Sequence, residues 1–246
     1  MKKILNAIGS FFVSCYMWVM MFVMALVVLV ISLFWLLVSD KRKVFMVTRK
    51  NLNLFFKVLF IKTTVEYDPE VNLDTEYIIM PNHVSFFDVP LMCSCLPNYT
   101  FGIEAASHFH WPIYGFFIRK YGQLPINRDS VIKSMRTFQK AGEFMKKTGA
   151  SLLVFPEGHR SKDGKIKPLK KLPFKAAQTM RVPILPVGLT GMYKLSPKGV
   201  FFIKPSPVKV KYGKPISVEE YENLKPEEIA SLVQKRIIEL VDDDIV

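Results

Sequence analysis

A histidine and an aspartate stand five residues apart in Asn82-His83-Val84-Ser85-Phe86-Phe87-Asp88. An imidazole held at one ring nitrogen by a carboxylate can take a proton at the other, the arrangement of a general base. Five residues turn a regular helix about 140° past a full circle, so this spacing does not place both side chains on one helix face. The pair works as a unit only if a turn leads into a helix, expected here over Phe86–Leu96, and lets Asp88 reach back to His83. Tyr77–Met80 has the pattern of an apolar strand, and Pro81-Asn82 turns the chain after it. His83 is therefore expected at the C-terminal edge of a sheet. Taken alone, the same pair also reads as a helix cap.

A second element follows about seventy residues on, in Phe155-Pro156-Glu157-Gly158-His159-Arg160-Ser161. Ser151–Phe155 reads as a buried strand that breaks at Pro156, which brings Glu157 to Arg160 to the same kind of sheet edge. Gly158 permits close backbone approach to a ligand, and Arg160 offers a planar fork suited to phosphate. Arg128 also leaves a strand end, in Gly122-Gln123-Leu124-Pro125-Ile126-Asn127-Arg128. Two arginines leaving strand ends form a phosphate clamp; either one alone reads as a surface salt bridge.

The N-terminus carries no charge from Ile4 to Ser39, and Phe11–Val38 is almost continuously apolar. As a helix, that apolar run would be roughly 42 Å long. A hydrocarbon core of about 30 Å would then require tilt or a kink. A cleaved signal peptide has a shorter apolar region and a small-residue cleavage site. Ser39-Asp40-Lys41-Arg42-Lys43 matches that poorly, so a retained anchor is expected. Basic residues flank it on both sides, heavier after it, which puts that flank on the cytoplasmic side or the helix within one leaflet. Asn51–Ile61 reads as a second helix, lying along the interface. Of the net charge of +13, residues 1–62 contribute nine Lys/Arg and one Asp. Basic charge gathered beside an apolar segment favours an anionic lipid surface over nucleic acid. The three cysteines have no metal-binding spacing, and Cys93 and Cys95 are too close for an easy disulfide.

Past the anchor, short apolar runs alternate with helical patterns, which indicates an α/β domain. Strands are expected at Lys62–Tyr67, Tyr77–Met80, Tyr99–Glu104, Gln123–Asn127, Ser151–Phe155, Ile184–Gly188 and Val208–Tyr212. Asp129 is expected to cap a helix from Ser130 to Lys147, closed by Gly149. A final helix starts near Pro226, and Asp242–Asp244 reads as a solvated tail. The division is residues 1–61 as membrane-anchoring helices and 62–246 as the α/β domain.

NHVSFFD, GQLPINR, FPEGHRS and Val182-Pro183-Ile184-Leu185-Pro186-Val187 stand in the order and approximate spacing of the four motifs of the glycerolipid acyltransferases. Over residues 62–215 the chain resembles that family, and within it the bacterial enzymes that acylate 1-acyl-sn-glycerol 3-phosphate. The resemblance implies a mixed-sheet acyltransferase domain on the cytoplasmic face of a bacterial inner membrane. It implies transfer of a fatty acyl group from an acyl-CoA or acyl-carrier-protein thioester to a lysophospholipid hydroxyl, with no cofactor or metal. His83 would be the base and Asp88 its orienting partner. Arg128, Glu157, Gly158 and Arg160 would bind the acceptor, with Asn82 and His159 in support; the Val182–Val187 strand would line the site.

Two departures from the family pattern bear on the acceptor. His159 stands where a small residue is usual, and Glu104 stands near where many members carry a lysine. Glycerol 3-phosphate or another lyso-lipid is therefore the alternative acceptor. A hydrolase using Ser85 or Cys93 lacks the nucleophile elbow. A membrane lipid-binding protein without turnover requires only the anchor and its basic flank.

Overall fold

The chain is described by a computed structural model over residues 2–241, with backbone alone for residues 2–7. The Lys2 and Lys3 side chains and the Asp242–Asp244 tail lie outside the described residues. Helix α1 (Lys2–Val38) runs unbroken, and its stretch Ile8–Val38 is long and apolar enough to cross a membrane. Its packing is inverted relative to a water-soluble helix. The buried stripe, at helical spacing, is Ser14, Met17, Met21, Val28 and Ser32, whereas Phe12, Val19, Phe22, Leu26 and Phe34 are exposed. The two inward serines are satisfied: Ser14 accepts from the Ile203 N–H at 3.1 Å, and Ser32 shares a 2.8 Å bond with Thr48.

Helix α2 (Lys41–Val58) begins ten residues earlier than the pattern at Asn51 suggested. Asp40 supplies the cap, its carboxylate accepting from the Lys43 N–H at 3.0 Å. Val44, Phe45, Phe55 and Phe56 are all buried, so one apolar stripe runs through the basic stretch as well. That stripe joins the core of the α/β part.

All seven expected strands form, with β7 at the expected bounds and the other ends shifted by at most two residues. They are β1 (Thr63–Tyr67), β2 (Ile78–Pro81), β3 (Thr100–Ala105), β4 (Leu124–Ile126), β5 (Ser151–Leu153), β6 (Ile184–Thr190) and β7 (Val208–Tyr212). They make one sheet in the order β1-β7-β6-β2-β5-β3-β4. Strands β6, β2, β5, β3 and β4 run parallel, so their C-terminal ends share one edge. Strand β7 is antiparallel to β6 and carries β1 parallel to itself. The mixed sheet follows from these two directions. Strand β6 is buried along its whole length, as expected for a central strand.

The later helices include α3 (Asp88–Cys95), α4 (Pro112–Tyr121), α5 (Val131–Thr148), α6 (Leu172–Met180) and the single turn α7 (Met192–Leu195), with the single turn α8 (Val218–Tyr221) and α9 (Pro226–Leu240) following the last strand. Helix α3 starts at Asp88, two residues later than expected. The chain before it is a turn closed on the Asp88 side chain, which accepts from the Val84 and Ser85 N–H groups. Helix α5 is capped by Ser130, not Asp129; the Ser130 hydroxyl accepts from the Lys133 N–H at 3.3 Å. The Asp129 N–H is instead held by the Asn127 side chain at 3.0 Å. Gly149 closes α5 in the left-handed conformation, φ 63°.

Phe87, fully buried at the start of α3, lies with its ring centroid 6.4 Å from that of Phe55 on α2. It joins the N-terminal helices to the sheet core. Phe87→Ala is expected to cost about 3–5 kcal/mol, seen as a lowered unfolding midpoint in detergent. A loss below about 1 kcal/mol would contradict this packing.

Candidate active site

Strand β2 delivers Asn82 and His83 to the shared C-terminal edge, and β5 delivers Glu157. The register places His83 and Glu157 opposite each other: Ile79 pairs with Leu153, and each residue of interest lies four positions further on. His83 Nδ1 is 2.7 Å from Asp88 Oδ2. The same oxygen accepts from the Val84 N–H at 2.7 Å and the Ser85 N–H at 2.8 Å. With two donors already on Oδ2, the third contact is a donation from Nδ1. This leaves Nε2 as the acceptor nitrogen. Asp88 is fully buried, and its position at the first turn of α3 favours negative charge.

His83 is fixed through its backbone as well. Its N–H donates to Glu157 Oε1 at 2.7 Å, and its carbonyl accepts from the Ser161 N–H at 2.8 Å. Its ring lies 4.1 Å from that of Phe155, centroid to centroid. Glu157 is buried, and its second oxygen accepts from the Lys167 N–H at 2.9 Å. Both carboxylate oxygens thus face backbone, and in this structure they brace the His83 turn. Asn82 extends the β2–β6 ladder through its side chain, accepting from the Leu189 N–H at 2.7 Å and donating to the Leu189 carbonyl at 3.1 Å.

Arg128, leaving β4, meets His159: Arg128 Nη1 lies 3.0 Å from His159 Nδ1. Burial, then the positive charges of Arg128, Lys198 and Lys170, hold the His159 imidazole below its ordinary range. A neutral ring accepting from Arg128 fits that direction. The convergence of these cations makes an electropositive surface beside His83. Arg160 lies over the Phe86 ring at 5.8 Å, and Gly158 adopts φ 76°, a turn conformation that favours glycine. Glu104, at the end of β3, accepts from the Tyr114 hydroxyl at 2.9 and 3.1 Å and pairs with His108 Nδ1 at 3.1 Å.

The candidate nucleophiles are placed differently. Ser85 is fully buried and its hydroxyl donates to the Ser196 carbonyl at 2.9 Å. Burial pushes the Cys93 thiol up to about 12, away from thiolate character. All three cysteines are free. Among the described residues, no three or more His, Cys, Asp or Glu side chains are grouped to hold a metal ion.

The Acyltransferase family model matches residues 62–190, more than half of the chain. This chain belongs to the Acyltransferase family. A curated 1-acyl-sn-glycerol-3-phosphate acyltransferase of Cocos nucifera is 30% identical over 149 residues, 61% of this chain and 48% of that protein. A chloroplastic 1-acyl-sn-glycerol-3-phosphate acyltransferase of Brassica napus is 36% identical over 126 residues, 51% of this chain and 36% of that protein. The chain therefore spans about half or less of the length of these curated relatives. The crystal structure of the 1-acyl-sn-glycerophosphate acyltransferase PlsC from Thermotoga maritima matches with a TM-score of 0.75 at 26% identity. That match covers 96% of this chain and 95% of the crystallised one, so the mixed α/β sheet is the acyltransferase fold.

Within this acyltransferase fold, the structure brings His83, Asp88 and the Glu157 turn into direct contact, and it joins Arg128 to His159. Sequence reasoning missed Lys167, Lys170 and Lys198, which act through main chain or long-range charge and carry no local motif, and it missed the main-chain bond of Ser161 to His83. It also missed the Tyr114 and His108 bonds that satisfy Glu104.

Burial raises the Glu157 carboxyl from its ordinary 4.5 to about 7, against the two backbone donors that favour the anion. Between these values the folded chain holds a proton that the unfolded chain has released. Its contribution is complete below the unfolded value and is lost as pH rises through the folded one. Stability should fall across that window by up to about 1.4 kcal/mol per pH unit. In Glu157→Gln this slope should vanish, with a lower overall midpoint because an amide N–H would face a backbone N–H. Denaturation of both proteins across the window checks it; identical pH slopes would contradict the assignment.

Proposed function

We propose that this chain transfers a fatty acyl group from an acyl-CoA or acyl-carrier-protein thioester to the free hydroxyl of 1-acyl-sn-glycerol 3-phosphate, giving phosphatidate. The observation that carries this reading is the His83–Asp88 pair at 2.7 Å, set at a sheet edge beside a basic surface. His83 Nε2 takes the hydroxyl proton as the oxygen attacks the thioester carbonyl carbon. The C–S bond then breaks and the same proton passes to the leaving thiolate. Asp88 orients the ring and stabilises its protonated form. Arg128 and Arg160 hold the acceptor phosphate, with Gly158 giving close backbone approach. Glu157, His159 and Asn82 position these groups.

The same reading makes residues 1–61 an anchor and 62–246 the catalytic part. The outward apolar face of α1 meets lipid, and the site works at a membrane surface, on the cytoplasmic side in a bacterial cell. The phospholipid membrane, the lysophospholipid and the thioester carrier are then the partners. Glu104 favours a second reading for the acceptor: a half-buried carboxylate on the strand next to Arg128 suits a lyso-lipid whose headgroup adds a cation to its phosphate.

With lysophosphatidate and either donor, His83→Ala should lose about 10²-fold or more in rate, roughly 3 kcal/mol in barrier, with folding kept. Phosphatidate formation by the folded variant at the wild-type rate would exclude His83 as the base. Arg128→Ala and Arg160→Ala should raise KM for the acceptor and leave KM for the thioester unchanged. Wild-type acceptor KM in both would remove the clamp. Glycerol 3-phosphate and a lyso-lipid with a cationic headgroup, run beside lysophosphatidate, separate the acceptors. Transfer to none of them would leave the non-catalytic lipid-binding reading.

A further inference from the structure

The segment between α7 and β7 exposes three consecutive large apolar residues, Val200 at 43%, Phe201 at 46% and Phe202 at 42%. Their surroundings in sequence are Pro197-Lys198-Gly199 before and Lys204-Pro205-Ser206 after. Such a cluster in water is costly, at roughly 25 cal/mol per Å² of apolar surface. The segment is nevertheless fastened in place. The Trp18 indole N–H donates to the Phe201 carbonyl at 2.8 Å, and Ser14 accepts from the Ile203 N–H at 3.1 Å. The Phe201 ring lies 5.8 Å from Phe11 and 6.5 Å from Trp18, and Ile203 is buried. Phe201 therefore continues the outward apolar surface of α1, with Val200 and Phe202 exposed on either side of it in sequence.

The other side of the segment meets the candidate site. Ser85 bridges to Pro197, and its hydroxyl donates to the Ser196 carbonyl. Lys198 Nζ donates to the Arg160 carbonyl at 3.5 Å, and the Lys204 N–H donates to the Leu195 carbonyl at 2.9 Å, closing the base.

We propose that Lys198–Lys204 is a second membrane-contacting element, which seats Val200, Phe201 and Phe202 in an anionic bilayer beside α1 while bracing the turns that carry His83 and Arg160. The proposal rests on the reading of α1 as lipid-facing. A bilayer covers both the long apolar helix and the loop without shape matching, whereas a protein partner would have to fit both. Lys198 and Lys204 flank the apolar tip, where their positive charge attracts anionic headgroups.

The test places the photoreactive residue p-benzoylphenylalanine at Phe202 in the full chain, reconstituted in phosphatidylglycerol–phosphatidylcholine vesicles. The same residue at Phe22 on α1 and at Glu239 on α9 gives the comparison. After irradiation, mass spectrometry should find lipid adducts at Phe202 and Phe22 and none at Glu239. Lys198→Glu with Lys204→Glu should lower the Phe202 adduct severalfold and leave the Phe22 adduct unchanged. A Phe202 yield no higher than that at Glu239, while Phe22 is labelled, would overturn the loop assignment alone. Adducts at neither Phe22 nor Phe202 would overturn it together with the lipid-facing reading of α1. A cross-linked dimer in place of lipid adducts would overturn it in favour of a second copy. No arm depends on acyl transfer, so a failure of the catalytic reading stays separate.

Discussion

One oxygen of Asp88 organises this part of the molecule. It accepts from His83 Nδ1 and from the Val84 and Ser85 N–H groups, all within 2.7–2.8 Å. Hydrogen bonds to a charged acceptor contribute about 1.5–3 kcal/mol each, and a buried carboxylate that lost them would carry a heavy desolvation penalty. The turn from His83 to Ser85 therefore has little freedom to relax while Asp88 stays at the start of α3. The Asp88 Oδ1 atom, buried and without a hydrogen-bond partner among the described residues, leaves the anchoring to Oδ2. His83 is then held at its ring by the start of α3, and at its N–H and its carbonyl by the turn after β5. A ring fixed in this way approaches a reacting group without an added cost of ordering, the condition that proximity catalysis requires.

The sheet supplies the segments. Five parallel strands bring their C-terminal ends to one edge, and the β2–β5 register sets Glu157 against His83 across 74 residues of sequence. Asn82 continues the ladder to β6 with a side-chain amide in place of a backbone one. The position of His83 is thus a consequence of strand pairing on both sides, by β5 and by β6. The antiparallel β7 and its neighbour β1 lie beyond β6 and leave that edge uninterrupted.

Much of this was legible because it is local. Strand patterns of four to six residues located all seven strands, and Gly149 and Pro226 marked helix ends through their own backbone chemistry. The His83–Asp88 pair was legible for the same reason: both residues belong to one turn. What escaped was set by distant partners. The start of α2 was hidden because its lysines and arginines masked Val44 and Phe45, whose burial depends on a core built much later in the chain. Asp129 was the expected cap of α5, but the cap is the next residue, Ser130, and Asn127 holds the Asp129 N–H. No local pattern records that two backbone N–H groups, one 74 and one 10 residues away, donate to the Glu157 oxygens.

The N-terminal helices are tied to this arrangement through side-chain packing. Helix α1 meets α2 through Ser32 and Thr48 and the segment before β7 through Ser14, while its apolar side faces outward. Helix α2 presents Phe55 to Phe87, and Phe87 immediately precedes Asp88. One aromatic pair thus links the helix partnered by α1 to the carboxylate that holds the proposed base. An acceptor drawn from a bilayer needs its hydroxyl delivered at a fixed depth from the surface, because a misplacement of about 1 Å can cost on the order of 10²-fold in rate. A flexible tether between anchor and site would leave that depth undefined. Packing through Phe55 and Phe87 defines it by the dimensions of the core, which makes the hydrophobic contact between these two rings as much a part of the proposed chemistry as the dyad it supports.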